Sequence, residues 1–478
     1  MTKSEKMTYW DVREAVIKII PRHTKLLVQE RKVDAVREKG RKRNYQQFNL
    51  KENQWKRQER LLNAQQLNSF LEIALRAPAC PMPFNMDVWD GLICPFKCTY
   101  CYANAFRASL YTAFFDNSKT MGFRHCNPEY YKQEMAKMDK LRALPFERQK
   151  ELSGINKAYA LEIPLRMGIR FEDFLKNEAK DGISLAMLQH LSDIEYPVML
   201  NTKSDLVGTE SYLKALAENK AGTAIHLTLI TSDEEVLQKI EPGAPSYKKR
   251  MEAMRNLVQA GVRVVARIEP YLFLLTDRRE DVERYLDDLW DTGVRHITFD
   301  TYSYTAYNPG IRQGFINAGY DFDRLFLAGC DSQPLGSLLL GKFMELFRDR
   351  GFSCSTFDMG NVPDNDQSIC CEVGDMFGDR WNYGCTVMAA RYIQERSPAA
   401  VTWQEFSDWV DVKGGFLSNE LRQEVHALWN LQGNVAYSHR WAKGLTPRGY
   451  DENGLIWTYD PVQEDYREQL LKTLISDE

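Results

Sequence analysis

The sequence predicts an α/β fold, and two observations carry that prediction: apolar runs of strand length recur through the middle of the chain, and amphipathic stretches of helical period separate them. Strands spaced by helices pair in parallel, because parallel neighbours need a crossover rather than a tight turn. The first extended segment is APACPMPFNMDVWD (77–90), which Pro78, Pro81 and Pro83 keep out of a helix. The next five apolar runs are AYALEIP (158–164), PVMLNT (197–202), AIHLTLI (224–230), VRVVARIEP (262–270) and VRHITFD (294–300). Between them lie ISLAMLQHL, ESYLKALAE, YKKRMEAMRNLVQAG and REDVERYLDDLWDTG, each with one apolar face. Upstream, LLNAQQLNSFLEIAL (61–75) has helical spacing. Downstream, the tail from 401 begins with the aromatic-anchored helix VTWQEFSDWV and ends in a strand at GLIWTY.

Composition excludes several classes. A chain of 478 residues with 44% hydrophobic and 12% aromatic content can bury a large core and is not disordered. The N-terminal MTKSEKMTYWDVREAV is charged from its third residue, unlike a signal peptide, and no later run reaches bilayer length, so the expected location is cytoplasmic with no membrane partner. Ten cysteines in such a chain read as metal ligands, reactive thiols or core residues rather than as a disulfide framework. In VKGGF, Lys413 precedes Gly414 and Gly415 and no Gly-Lys-Ser or Gly-Lys-Thr follows, which removes P-loop nucleotide hydrolysis. Charge is uneven: residues 31–60 hold 11 Lys or Arg against 4 Asp or Glu in a chain of net −4. Arg41, Lys42, Arg43, Lys56, Arg57 and Arg60 are interleaved there with Tyr45, Phe48 and Trp55, a mixture suited to phosphate contact and base stacking and equally to a solvated helix paired with acidic surface.

The sharpest chemical signal is CPFKCTYCY (94–102). Cys94, Cys98 and Cys101, spaced x3 and x2, predict an iron-sulfur cluster. Three thiolates can hold three irons of a 4Fe-4S cubane and leave the fourth open, whereas a structural zinc site closes with four ligands. This loop resembles that of the radical S-adenosylmethionine (SAM) superfamily, which has the same CxxxCxxC spacing and an aromatic beside the last cysteine. The resemblance implies a partial (β/α)6 TIM-like barrel, SAM chelated at the open iron, its reductive cleavage to a 5'-deoxyadenosyl radical, and an electron donor such as flavodoxin or ferredoxin.

Residues 231–272 narrow the resemblance to the spore photoproduct lyase-like (DNA repair photolyase-like) branch. Glu241, Pro242 and Gly243 match its EPG element, Arg250 its arginine-bearing helix, and Ala260-Gly261 its turn. Thr202, Lys203 and Ser204 resemble its SAM-contacting strand end, and Tyr100 and Tyr102 its tyrosine-rich cluster loop. By that analogy Lys203 reaches the SAM carboxylate, Ser232 bonds the nucleoside, and Tyr102 takes part in hydrogen transfer. The branch's donor cysteine is missing from LEIPLRMGI (161–169), which disfavours thymine-dimer repair. Cys126, just upstream, is the remaining donor candidate.

Functional groups of a barrel gather where strands end. The candidates are Glu162 and Arg166, Asn201 and Lys203, His226 and Thr228, Arg267 and Glu269, and Asp300, with Glu162 and Asn201 framing the cofactor. His226, with no second histidine at ligand spacing, reads as a hydrogen-bonded strand residue. Beyond the barrel, Cys354, Cys370, Cys371 and Cys385 are four cysteines in 32 residues, open to a second iron-sulfur cluster or zinc, to packing, or to a hydrogen-donor thiol. The expected organisation is a basic helical extension (1–80), a radical SAM barrel (81–305), a cysteine-containing region (306–395) and a helical cap (396–478). The expected function is SAM cleavage followed by hydrogen abstraction from a nucleic acid or nucleobase. A peptide or small metabolite is the second substrate reading, and a non-catalytic metal-containing nucleic-acid-binding protein is the alternative of another class.

Overall fold

The computed structural model describes residues 7–19, 72–75, 78–90, 94–101, 124–169, 171–301, 309–322, 334–356, 371–432 and 445–459, with isolated positions in 469–475. The basic stretch 31–60, Tyr102 and Cys370 lie outside the described residues.

An N-terminal helix α1 (9–19) precedes β1 (Glu72–Leu75), β2 (Phe84–Asp87) and the short pair β3 (Trp89–Asp90) and β4 (Arg124–His125). Helix α2 (Pro128–Arg142) then leads to β5 (Leu165–Met167), α3 (Ile183–Asp193), β6 (Val198–Thr202), α4 (Glu210–Ala217) and β7 (Thr223–Thr228). Next come α5 (Glu234–Ile240), α6 (Tyr247–Gln259), β8 (Arg263–Tyr271), α7 (Arg279–Thr292) and β9 (His296–Thr301). Helix α8 (Pro334–Asp349) and β10 (Ser353–Thr356) precede α9 (Thr386–Glu395), α10 (Trp403–Val412), α11 (Asn419–Trp429) and the hairpin β11 (Leu445–Asp451) and β12 (Gly454–Tyr459).

One sheet organises these elements, in the order β1-β2-β5-β6-β7-β8-β9-β10. Strand β1 is antiparallel to β2 and every later neighbour is parallel, as crossover helices require. The arrangement agrees with the expected partial barrel, and the four strands from PVMLNT to VRHITFD fall where the apolar runs predict them. Three segments differ. AYALEIP is a helical turn (Ile155–Ala160), and Glu162 closes it at φ +52°, so the chain enters the sheet only at Leu165, whose N–H bonds Pro197 O. The end of LLNAQQLNSFLEIAL is strand β1, where backbone pairing to β2 overrides helical propensity; residues 61–71 lie outside the described residues. A seventh parallel strand, β10, comes from the short polar SCST and carries the sheet past residue 305.

The sheet has two different faces. Leu200, Ile225, Leu227, Ala266 and Ile297 pack under the helices in one large core. Alternate residues face the concave side, where Met199, Ala224 and Val265 join a second core with Phe377, Trp381, Phe406 and Trp429. Residues 371–432 therefore plug one end of the concave face. They are held by Asn382 N–H to Pro81 O (2.9 Å), Thr386 N–H to Pro78 O (2.9 Å) and the Arg263–Asp375 ion pair (2.7 Å). No helix among the described residues is long and apolar enough to cross a membrane.

Helix α1 is anchored on the barrel by polar contacts. Tyr9 Oη donates to Asp277 Oδ2 (2.5 Å) and lies 2.8 Å from Tyr271 Oη, and Arg13 Nε donates to the same carboxylate at 3.1 Å. Trp10 adds its ring under the Arg279 guanidinium, 4.5 Å from the centroid. Hydrogen bonds to a buried carboxylate contribute more than neutral ones, so Tyr9→Phe should lower stability by about 2 kcal/mol in urea unfolding. A change below about 0.5 kcal/mol would show that α1 docks through its apolar face alone.

Candidate metal centre and concave polar face

The loop 94–101 follows β3 and folds as two successive turns. Lys97, at φ +48°, donates its N–H to Cys94 O (3.0 Å), and Cys101 N–H bonds Cys98 O (3.1 Å). This brings Cys94, Cys98 and Cys101, all partly buried, into one electrostatic neighbourhood. Burial pushes the Cys94 thiol up to about 12, with Glu172 and Cys101 adding to the effect. Burial likewise raises Cys98 well above the ordinary range; Lys203 opposes this while Glu241 and the other two cysteines reinforce it. Burial thus outweighs the nearby Lys203 charge at Cys94 and Cys98, and binding of cationic iron would favour their thiolate forms.

The residues fit a cluster. Among the described residues no three His, Cys, Asp or Glu converge tightly enough for a single metal ion. A cubane puts each thiolate on a different iron, so its ligands need not meet at one point.

The loop is held by the segment that resembled the EPG element. Thr99 N–H bonds Ile240 O (2.8 Å) at the end of α5, and Gly243 N–H bonds Phe96 O (3.1 Å). A Cβ on Gly243 would stand 2.1 Å from Pro95 O, so only glycine lets the two backbones approach this closely. Tyr100 Oη donates to Glu241, and Arg250 Nη1 donates to the same carboxylate at 2.6 Å. Arg250 also reaches Pro245 O (2.9 Å) and Thr228 O (3.0 Å), which ties α6 to the end of β7. Burial alone would push Glu241 up, but Arg250 and Lys203 outweigh it and hold the carboxyl below its usual range.

Lys203 follows β6 with its Nζ 5.5 Å from the Tyr100 ring centroid, beside the cluster-loop cysteines. Glu172, which the sequence reading missed, fixes this strand end: it accepts from Thr202 Oγ1 (2.6 Å), Lys203 N–H (3.1 Å) and Phe174 N–H (3.1 Å). Burial raises its carboxyl despite those bonds. The only signal in the sequence was an acidic residue after an apolar run.

The concave face carries the other polar candidates. Arg166 donates to Asn85 Oδ1 (2.8 Å), Asn201 and His226 are register partners on β6 and β7, and Thr228 pairs with Arg267. Arg267 forms an ion pair with Glu269, which also accepts from Thr298 Oγ1 (3.0 Å).

The remaining expected site residues have other surroundings. Glu162 precedes β5 at the opposite end of the sheet, paired with Arg142 (2.6 Å) and Arg380 (3.0 Å). Ser232 is buried and donates to Asp281 O (2.7 Å) at the start of α7. Cys126 sits fully buried in the helix-side core, and burial with Asp173 and Glu178 nearby pushes its thiol up to about 12. Among the described residues, the C-terminal cysteines Cys354, Cys371 and Cys385 do not come together in one group. Cys354 packs on the helix side of β10 with its thiol directed to Phe352 O (3.7 Å), while Cys371 and Cys385 belong to the other core. Strand parity separates them, and Cys80 joins the second group, close to Cys371, Cys385 and Arg166.

No family model matches the chain. Over 102 residues it is 32% identical to the uncharacterized protein ORF301 of Acidianus two-tailed virus; the match covers 21% of this chain and 33% of that protein, so the chain spans about a third of this curated relative's length. Spore photoproduct lyase complexed with dinucleoside spore photoproduct is similar at a TM-score of 0.40 and 14% identity, covering 59% of this chain and 80% of that one. SuiB of Streptococcus suis bound to S-adenosylmethionine gives 0.35 at 14% identity, covering 58% and 51%. The same protein bound to precursor peptide SuiA gives 0.36 at 14% identity, covering 69% and 60%.

Removing Glu241 strands the fully buried Arg250 charge, so Glu241→Ala should lower urea-unfolding stability by about 3–5 kcal/mol. Glu241→Gln, which keeps a hydrogen-bonding side chain of the same shape, should cost less. Equal losses in the two variants would remove charge pairing as the cause.

Proposed function

We propose that the chain is a radical SAM enzyme that cleaves SAM reductively and abstracts hydrogen from a substrate, with a nucleic acid or nucleobase as the preferred substrate class. The observation that carries this reading is the arrangement of three partly buried thiols beside Lys203 at the C-terminal ends of the parallel strands β6 and β7. Cys94, Cys98 and Cys101 would hold a 4Fe-4S cluster, which when bound and reduced supplies the electron for SAM cleavage. Lys203 would neutralise the SAM carboxylate, and Glu172 keeps that strand end fixed by accepting from Thr202 and the Lys203 backbone. Tyr100 positions the loop through Glu241.

Repair of a thymine dimer through a strand-borne thiol is not part of the proposal. Residues 161–169 contain no cysteine, and the Cys126 thiol packs on the helix side of the sheet. The nucleic-acid preference is favoured over a peptide by the basic, aromatic-rich stretch 31–60.

Two measurements test the reading. Protein reconstituted anaerobically should bind about four irons and, once reduced, convert SAM to 5'-deoxyadenosine, because three thiolates leave one iron open. Cys98→Ala should lose both properties, and undiminished cleavage in that variant would sink the assignment. If Arg41, Lys42 and Arg43 neutralise phosphates, binding of single-stranded DNA or RNA should weaken with salt, and changing all three to Ala should reduce the log–log slope by about three. An unchanged slope would leave the stretch as solvated surface and favour a small-molecule or peptide substrate.

A further inference from the structure

The concave face holds a polar pair that neither the cluster loop nor Lys203 engages. Ile225 and Leu227 go to the helix-side core, so His226 between them faces the concave side, and Asn201 is its register partner on the neighbouring strand. Asn201 is 5% and His226 2% exposed. Asn201 Nδ2 and His226 Nε2 have no hydrogen-bond partner among the described residues. Buried polar atoms are rarely left so, and two adjacent ones of opposite sense call for a shared partner.

Their senses can be assigned. One ring nitrogen of His226 bonds the Cys371 carbonyl, which only accepts, so that nitrogen is the N–H and Nε2 carries a bare lone pair. Burial, with Arg267 and Arg166 nearby, lowers the imidazole to about 3, so the ring is neutral. The pair thus presents a donor at Asn201 next to an acceptor at His226, on strands about 4.8 Å apart.

The ligand must accept from Asn201 and donate to His226, which a hydroxyl or a water also does; among charged groups and amides the choice narrows. A phosphate or carboxylate oxygen would meet the histidine lone pair, and an ammonium would meet the Asn201 N–H groups and two guanidiniums. A trans peptide bond points its C=O and N–H in opposite directions and cannot serve both residues at once. A ring lactam, locked cis, shows carbonyl and N–H on one edge.

We propose that Asn201 and His226 form a recognition subsite for the lactam edge of a nucleobase, Asn201 Nδ2 donating to the ring carbonyl and the ring N–H donating to His226 Nε2. The flanking Arg166 and Arg267 supply guanidinium planes against which a base can stack. The inference rests on the reading of this chain as an enzyme whose substrate enters the concave face. Side-chain amides of Gln or Asn present the same edge from a peptide and are the rival source; the basic stretch 31–60 favours the base.

The test is equilibrium binding, by titration calorimetry of the full chain, of uridine, 3-methyluridine and the side-chain amide of a glutamine dipeptide. Uridine should bind, and methylation of its ring nitrogen should weaken binding by about tenfold or more, because the site's buried acceptor loses its donor. Asn201→Leu and His226→Phe should each weaken uridine by a similar factor while keeping the far-ultraviolet circular dichroism of the wild type. The methylated ligand needs no variant, so the test survives a variant that does not fold. Equal affinity for uridine and 3-methyluridine, no uridine binding, or preference for the glutamine amide would each overturn the subsite. Selective uridine binding in a protein that cleaves no SAM would refute the enzymatic reading and leave the lactam subsite standing.

Discussion

The cysteine loop 94–101 depends on one buried ion pair, Arg250 with Glu241, reached from the loop by Tyr100. Burying two charges is costly, and such pairs contribute little net stability compared with apolar residues of the same shape. What this pair supplies is position. Arg250 bonds Glu241, Pro245 O and Thr228 O at once, so the connection between α5 and α6 cannot move without stranding a charge or a carbonyl. Gly243 then lets that connection lie directly on the loop backbone at Pro95 and Phe96. The three thiols are placed by contacts that are not themselves metal ligands.

The second constraint is the unequal treatment of the two sheet faces. Helices cover one face with a continuous apolar core, as parallel sheets generally require. On the concave face Met199, Ala224 and Val265 pack against residues 371–432; Asn201 and His226 lie in the same row as Val265, and Thr228, Arg267 and Thr298 lie one row further toward the C-terminal ends of the strands. The C-terminal region therefore sets the depth of the polar surface. Its aromatic anchors, Trp403, Phe406 and Trp429, pack on one another rather than forming a separate surface.

Cysteine chemistry divides along the same lines. In residues 94–101 two successive turns of one loop carry all three thiols, and no intervening strand separates them. Crowding did not keep the described cysteines of 354–385 together: a strand sends Cys354 to the helix side, while Cys371 and Cys385 lie in the opposite core. Cys80, nearly three hundred residues upstream, becomes their neighbour instead, with burial raising its thiol against the pull of Arg166.

The sequence by itself determined the alternation of strands and helices from 197 to 301, the parallel sheet and the three-thiol loop, because local periodicity and one short segment encode them. GLIWTY likewise emerged as strand β12. Glu162 was misplaced because a helical turn and a strand of apolar residues look alike over seven positions, and only the left-handed backbone at Glu162 shows where the sheet begins. The polar SCST became β10 because an open strand edge at β9 was there to pair with, a property of the assembled sheet rather than of those four residues. Glu172, the Arg250–Glu241–Tyr100 lock and the facing of Asn201 with His226 were decided only by tertiary structure. Each joins groups from different strands or loops, and strand register, which no local pattern records, sets their meeting.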